Sequence, residues 1–155
     1  MNLIEREEIN LGKLDVYLQS KYQLPEIDIK ELAICFSSEK RAKDLNVDSS
    51  KAYAVIGDKF LDAILFEYIF KLNRNITAEE LDDFRQNYTH NKNHETIMIE
   101  NDLHIFVMNG PRKNNITSRA GRKTLSATLE ALVHVIYYYF GKEVLLSFLL
   151  KIYKL

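Results

Sequence analysis

The chain has 155 residues, 46% of them apolar, and a formal net charge of −1, which fits one globular domain able to bury about 70% of its unfolded surface. Its single cysteine, Cys35, excludes an internal disulfide and suits a reducing compartment, so a cytoplasmic location is expected. The charged opening MNLIEREEIN shows no leader or anchor; the apolar C-terminal stretch is interrupted by His134 and by Gly141-Lys142-Glu143 short of the ~18 residues of a membrane span, so no membrane contact is expected.

Two prolines and five glycines, with little strand-like alternation, predict an all-α chain. A first helix is expected near residues 11–22, stopping before Pro25, and a second over residues 28–37. The polar link SEKRAKDLNVDSS follows, and its Asp48-Ser49-Ser50 can cap a long third helix over residues 51–72. Thr77-Ala-Glu-Glu80 has the form of a capping box and opens a fourth. Another helix is expected over residues 93–101, then an irregular basic segment, NGPRKNNITSRAGRK. The chain closes with a helix over residues 124–140, Gly141 as terminator, and a last helix over 142–154. No internal repeat, low-complexity tract or interdomain linker is visible.

Charge is unevenly placed. Residues 109–155 carry eight Lys/Arg against Glu130 and Glu143, whereas the first 108 residues hold thirteen basic and twenty acidic groups. This pattern suits a polyanionic partner on one side, and equally an ordinary scatter of surface lysines.

Two helices are apolar enough to be buried and yet carry acids. In AVIGDKFLDAILF (54–66) and the residues just before it, Lys51, Asp58 and Asp62 lie seven and four apart on one face. In the last long helix Ser126, Glu130 and His134 form an i, i+4, i+8 stripe. A bare buried carboxylate costs several kcal/mol unless a cation or donors compensate. Inward acids on two buried helices can build a divalent-metal site. The same residues can instead make private pairs, Asp58 with Lys51 or a loop arginine and Glu130 with His134. His90-x-x-x-His94 has helix-compatible metal spacing, but its polar surroundings, NYTHNKNHE, read as surface. His134 reads as a core residue bonded to Glu130 or to a backbone group.

Four stretches carry a family resemblance, in order along nearly the whole chain. AVIGDKFLDAIL (54–65) and LSATLEALVHVIYYYFG (125–141) resemble the two signature helices of the ribonuclease III catalytic domain. LAICFSSEK (32–40) is similar to the family's second helix with its Ser-Ser end, and NDLHIFVMNGP (101–111) to the segment leading from the middle helices to a glycine turn. The resemblance implies a single helical-bundle domain with its core over residues 10–155 and no separate double-stranded RNA-binding domain. Asp58 takes the place of the family's metal-binding Asp after Gly, and Glu130 that of the Glu before Ala-Leu. Ala54 and Ala127 stand where full-length members have a Glu and an Asp, and no carboxylate occurs near Asn91–Lys92, where a further family acid falls. The stand-alone mini-ribonuclease III type also has an alanine before its Ile-Gly-Asp and is the closest in pattern.

By that resemblance the chain is expected to hydrolyse phosphodiester bonds of double-stranded RNA. Asp58 and Glu130 would hold Mg²⁺ or Mn²⁺, with Asp62 in a supporting position. Arg112, Lys113, Arg119, Arg122 and Lys123 would bind the RNA backbone, with Lys59 a weaker phosphate contact. A homodimer is expected through the apolar faces of the third helix and VIYYYF. The alternative, favoured by Ala54 and Ala127, is a catalytically silent member of the fold that binds RNA or scaffolds a complex.

Overall fold

The computed structural model describes residues 1–109 and 119–155, with backbone alone at 119 and 120. Among these it contains seven α-helices and no strand, the all-α architecture expected. Helix α1 (Leu3–Tyr22) begins eight residues earlier than expected, because Asn2 and Glu5 form a capping box: the Asn2 side chain accepts from Glu5 N at 2.8 Å, and the Glu5 carboxylate accepts from Asn2 N at 3.3 Å. Helix α2 (Ile29–Cys35) is capped by Asp28. The polar link then holds an unexpected short helix, α3 (Glu39–Leu45), capped by Ser38, whose hydroxyl accepts from Arg41 N.

Helix α4 (Lys51–Leu72) has the expected limits, with Ser49 supplying the oxygen that accepts from Lys51 N. Helix α5 (Ala78–Phe84) starts at Thr77, which accepts from Glu80 N; its hydroxyl donates to the Glu80 carboxylate, so the expected reciprocal bond to the Thr77 backbone is replaced. A π-helical turn (Arg85–Thr89) leads to α6 (Asn91–Glu100) and a 3₁₀ turn (His104–Phe106). Helix α7 (Arg119–Ile152) is broken at Gly141, whose φ of 85° is a left-handed conformation that glycine adopts without strain. Gly121–Ile152 is long and apolar enough on average to cross a membrane, but Leu125, Leu129, Leu132, Val133, Ile136 and Phe148 are buried within the domain, as in a core helix.

Helices α4 and α7 form the centre and run parallel. Gly57 meets Glu130 and His134, Phe60 stacks on Tyr137 with centroids 4.0 Å apart, and Glu67 bonds Lys142. Leu61 and Leu65 bury against the leucines of α7, and Leu14, Leu18, Leu32, Phe36 and Met98 of α1, α2 and α6 complete one core. A buried bidentate ion pair joins α1 to α3: Arg41 donates from Nε and Nη2 to Glu7 at 2.8 and 3.1 Å, and from Nη1 to Ser37 at 2.9 Å. Backbone bonds from Ser38 N to Met108 O and from Met108 N to Phe36 O tie the segment after α6 beside the α2–α3 link.

Candidate active site

The site begins with a missing side chain. A Cβ on Gly57 would overlap the carbonyl oxygen of Glu130, so only glycine lets α4 and α7 approach this closely. That approach brings Asp58 and Glu130, 72 residues apart in sequence, to hydrogen-bonding range of each other. Burial first, and then the facing Asp58 charge, push the Glu130 carboxyl up to about 8. The Ser126 hydroxyl lies 3.2 Å from Glu130 Oε1 and 3.1 Å from Asn91 Oδ1. One hydroxyl has one proton, so it serves only one of these oxygens at a time.

Asp58 keeps about a third of its side chain exposed and opens onto a polar groove of about 390 Å³, lined also by Asp62, Asp82, Arg85, Thr89 and Asn91. Asp62 lies one helical turn beyond Asp58, mostly buried, with Arg85 Nε 3.4 Å from its Oδ2 and no partner for its Oδ1. Burial raises the Asp62 carboxyl, opposed by the Thr89 hydroxyl and Arg85. The π-helical turn carries both Arg85 and Thr89 to this acid. The nest is therefore rich in oxygen atoms. Among the described residues no three His, Cys, Asp or Glu side chains converge as a ready-made metal cluster. Two carboxylates backed by hydroxyl and amide oxygens fit a hard cation that keeps most of its own water, as Mg²⁺ does.

Among the described residues the private pairs that the sequence left open are not formed. Lys51 pairs with Glu39 at 3.6 Å, and the described cation nearest Asp58 is the exposed Lys59 at 3.9 Å; Arg112 and the side chain of Arg119 lie outside the described residues. His134 turns away from Glu130 and packs against Tyr53 and Tyr138, with centroids 4.7 and 5.9 Å away. The surface reading of His94 is corrected as well. It is fully buried, 2.5 Å from the Tyr153 hydroxyl, and burial pushes it down to about 4. His90 is exposed and caps α6 through Nδ1. The HxxxH spacing therefore marks a cap and a core residue rather than two ligands.

Of the expected RNA contacts, Arg112 and Lys113 lie outside the described residues, as does the side chain of Arg119. Arg122 is paired with Glu95 of α6 at 3.7 Å. Lys123 is exposed beside the start of α4. Arg85, Thr89 and Asn91 were missed as site residues. The π-helical turn that delivers the first two has no sequence signature, and Asn91 was noticed only as a place without a carboxylate.

The helical bundle agrees with the comparisons. Residues 51–141 match the ribonuclease III domain, more than half of the chain, and the chain belongs to that family. Two structures of the nuclease domain of ribonuclease III from Campylobacter jejuni share the fold. One superposes with a TM-score of 0.77 at 20% identity over 89% of this chain and 94% of that one. The second gives 0.75 at 20% identity over 89% and 92%. The first is described as showing structural flexibility in a region involved in dimer formation. No curated protein matches the sequence.

Proposed function

We propose that this chain is a divalent-metal-dependent endoribonuclease acting on double-stranded or structured RNA, with Asp58 and Glu130 as its cation-holding pair. The observation that carries this reading is the meeting of those two carboxylates, from different helices, in an oxygen-rich nest beside a polar groove. When bound there, Mg²⁺ or Mn²⁺ supplies activation of a water nucleophile and neutralisation of charge on a phosphodiester. Ser126 orients Glu130, and Arg85 holds Asp62 behind the pair. Arg122 and Lys123, with Arg112, Lys113 and Arg119, grip the RNA backbone by charge and shape. A homodimer places two such sites on opposite strands.

The test is cleavage of duplex RNA with Mg²⁺. Asp58→Asn or Glu130→Gln is expected to lower the rate at least 100-fold, and activity surviving both changes refutes the site. A second reading, a silent family member that binds RNA, is favoured by Ala54, Ala127 and the lack of a three-carboxylate cluster among the described residues. Duplex binding without cutting in both Mg²⁺ and Mn²⁺ decides for it.

A further inference from the structure

Along the seam between α4 and α7 the acidic groove gives way to a basic hollow. This hollow, of about 380 Å³, is lined by Lys51 and Lys123 together with the hydroxyl-bearing Ser49, Ser50 and Thr124. Ala127 lines it too, at a position where the family pattern has an acid. Because the helices run parallel, the two hollows are successive stations on one seam. Seven residues back along α4 from Asp58, about 10 Å at ~1.5 Å per residue, is Lys51. One turn back along α7 from Glu130 is Ala127, and two turns back is Lys123.

Among the described residues, the ion-pair partner of Lys51 is Glu39, which also lines the hollow. The pair is 3.6 Å apart with side chains 78% and 60% exposed. Exposed pairs of this kind contribute little to stability, so Lys51 exchanges Glu39 for a stronger anionic partner at little cost. An acid at 127 would repel such an anion, whereas alanine leaves room for it.

Resting on the reading that the chain acts on RNA, we infer that this hollow holds a backbone phosphate neighbouring the one at Asp58 and Glu130. Lys51 and Lys123 are its cationic contacts, and the surrounding hydroxyls are donors. The alanine at 127 thereby leaves room for substrate beside the two lysines.

The experiment is a scan of duplex RNA with single methylphosphonate linkages, each neutral at one phosphate. Affinities are measured in a Glu130→Gln background so that the RNA stays intact. One linkage is expected to cost about tenfold in affinity. Adding Lys51→Gln or Lys123→Gln should remove that linkage's effect and reduce the salt dependence by about one phosphate contact. Both lysines are exposed, so the fold survives either change. The inference is overturned if the Glu130→Gln protein binds duplex RNA but shows the same linkage profile and salt dependence with and without the lysines. Absence of duplex binding by that protein overturns the RNA reading itself, and this inference with it.

Discussion

Gly57 and Glu130 show how single residues set the chemistry. Adding a methyl at Gly57 pushes backbone against backbone, because the overlapped atom is the Glu130 carbonyl oxygen and not a movable side-chain end. Gly57→Ala is therefore expected to destabilise the protein by about 3 kcal/mol, the upper end for overpacking. Gly12→Ala on α1, where a Cβ meets nothing within 4 Å, should stabilise by about 0.5–1 kcal/mol. Urea titrations of the two variants check the contrast.

The titratable groups at the site give the metal-free protein a definite pH response. Folded Glu130 keeps its proton up to about 8, while an unfolded glutamate loses it near 4.5. Between those values the folded state binds more protons, so its stability falls as pH rises. His94 acts on the other flank. Its folded value of about 4 lies below the ordinary 6.5, so stability falls as pH drops from 6.5 towards 4. Between about pH 4.5 and 6.5 the two slopes oppose and nearly cancel, so the expected result in EDTA is a level melting temperature over that range and a fall from pH 6.5 towards 8. A cation replacing the shared proton between Asp58 and Glu130 should remove the loss on the alkaline side. Glu130→Gln should flatten that side without metal. Melting curves from pH 4 to 9, with and without Mg²⁺, check both statements.

At the scale of elements, legibility followed the range of the forces involved. Helix α4 was readable to its last residue because its apolar run and flanking polar residues are local signals. That Asp58 and Glu130 would face inward was legible because helical periodicity fixes the face a residue shares, and the family resemblance named the pair. Helix α3 was missed because five charged residues with only Ala42 and Leu45 among them carry no apolar stripe; what holds it is Arg41, bonded to Glu7 34 positions away. His94 was misread for the same reason, since its polar neighbours are local and its partner Tyr153 is distant. Arg41 and Glu7 are only 11% and 10% exposed, so removing one leaves a buried charge unpaired. Glu7→Gln or Arg41→Ala is expected to cost about 3–5 kcal/mol, and the double change Glu7→Leu/Arg41→Met less than either alone. Denaturant midpoints of the three variants provide the check.

At the scale of the whole molecule, an apolar face remains uncovered. Val55 and Ile56 of α4 and Tyr138 and Tyr139 of α7 are 62%, 42%, 70% and 52% exposed. Ring contacts link Tyr53 to His134, His134 to Tyr138, and Tyr138 to Tyr139, so the patch continues across both helices. Glu31 of α2 accepts from both Tyr53 and Tyr139 hydroxyls at 2.8 Å, holding the rings in place. A second copy of the chain is the occupant expected here. Ile56→Asp with Tyr138→Asp should yield monomers at micromolar concentration in light scattering, and should shift duplex products towards single-strand nicks. A dimer that persists in this variant places the interface elsewhere.

The parallel seam also governs when the molecule becomes competent. A ribosome delivers Asp58 long before it delivers Glu130, and neither half of the chain owns the pair. A chain that stops between them carries Asp58 without Glu130. The proposed pair therefore forms only once the two distant segments close against each other at a glycine.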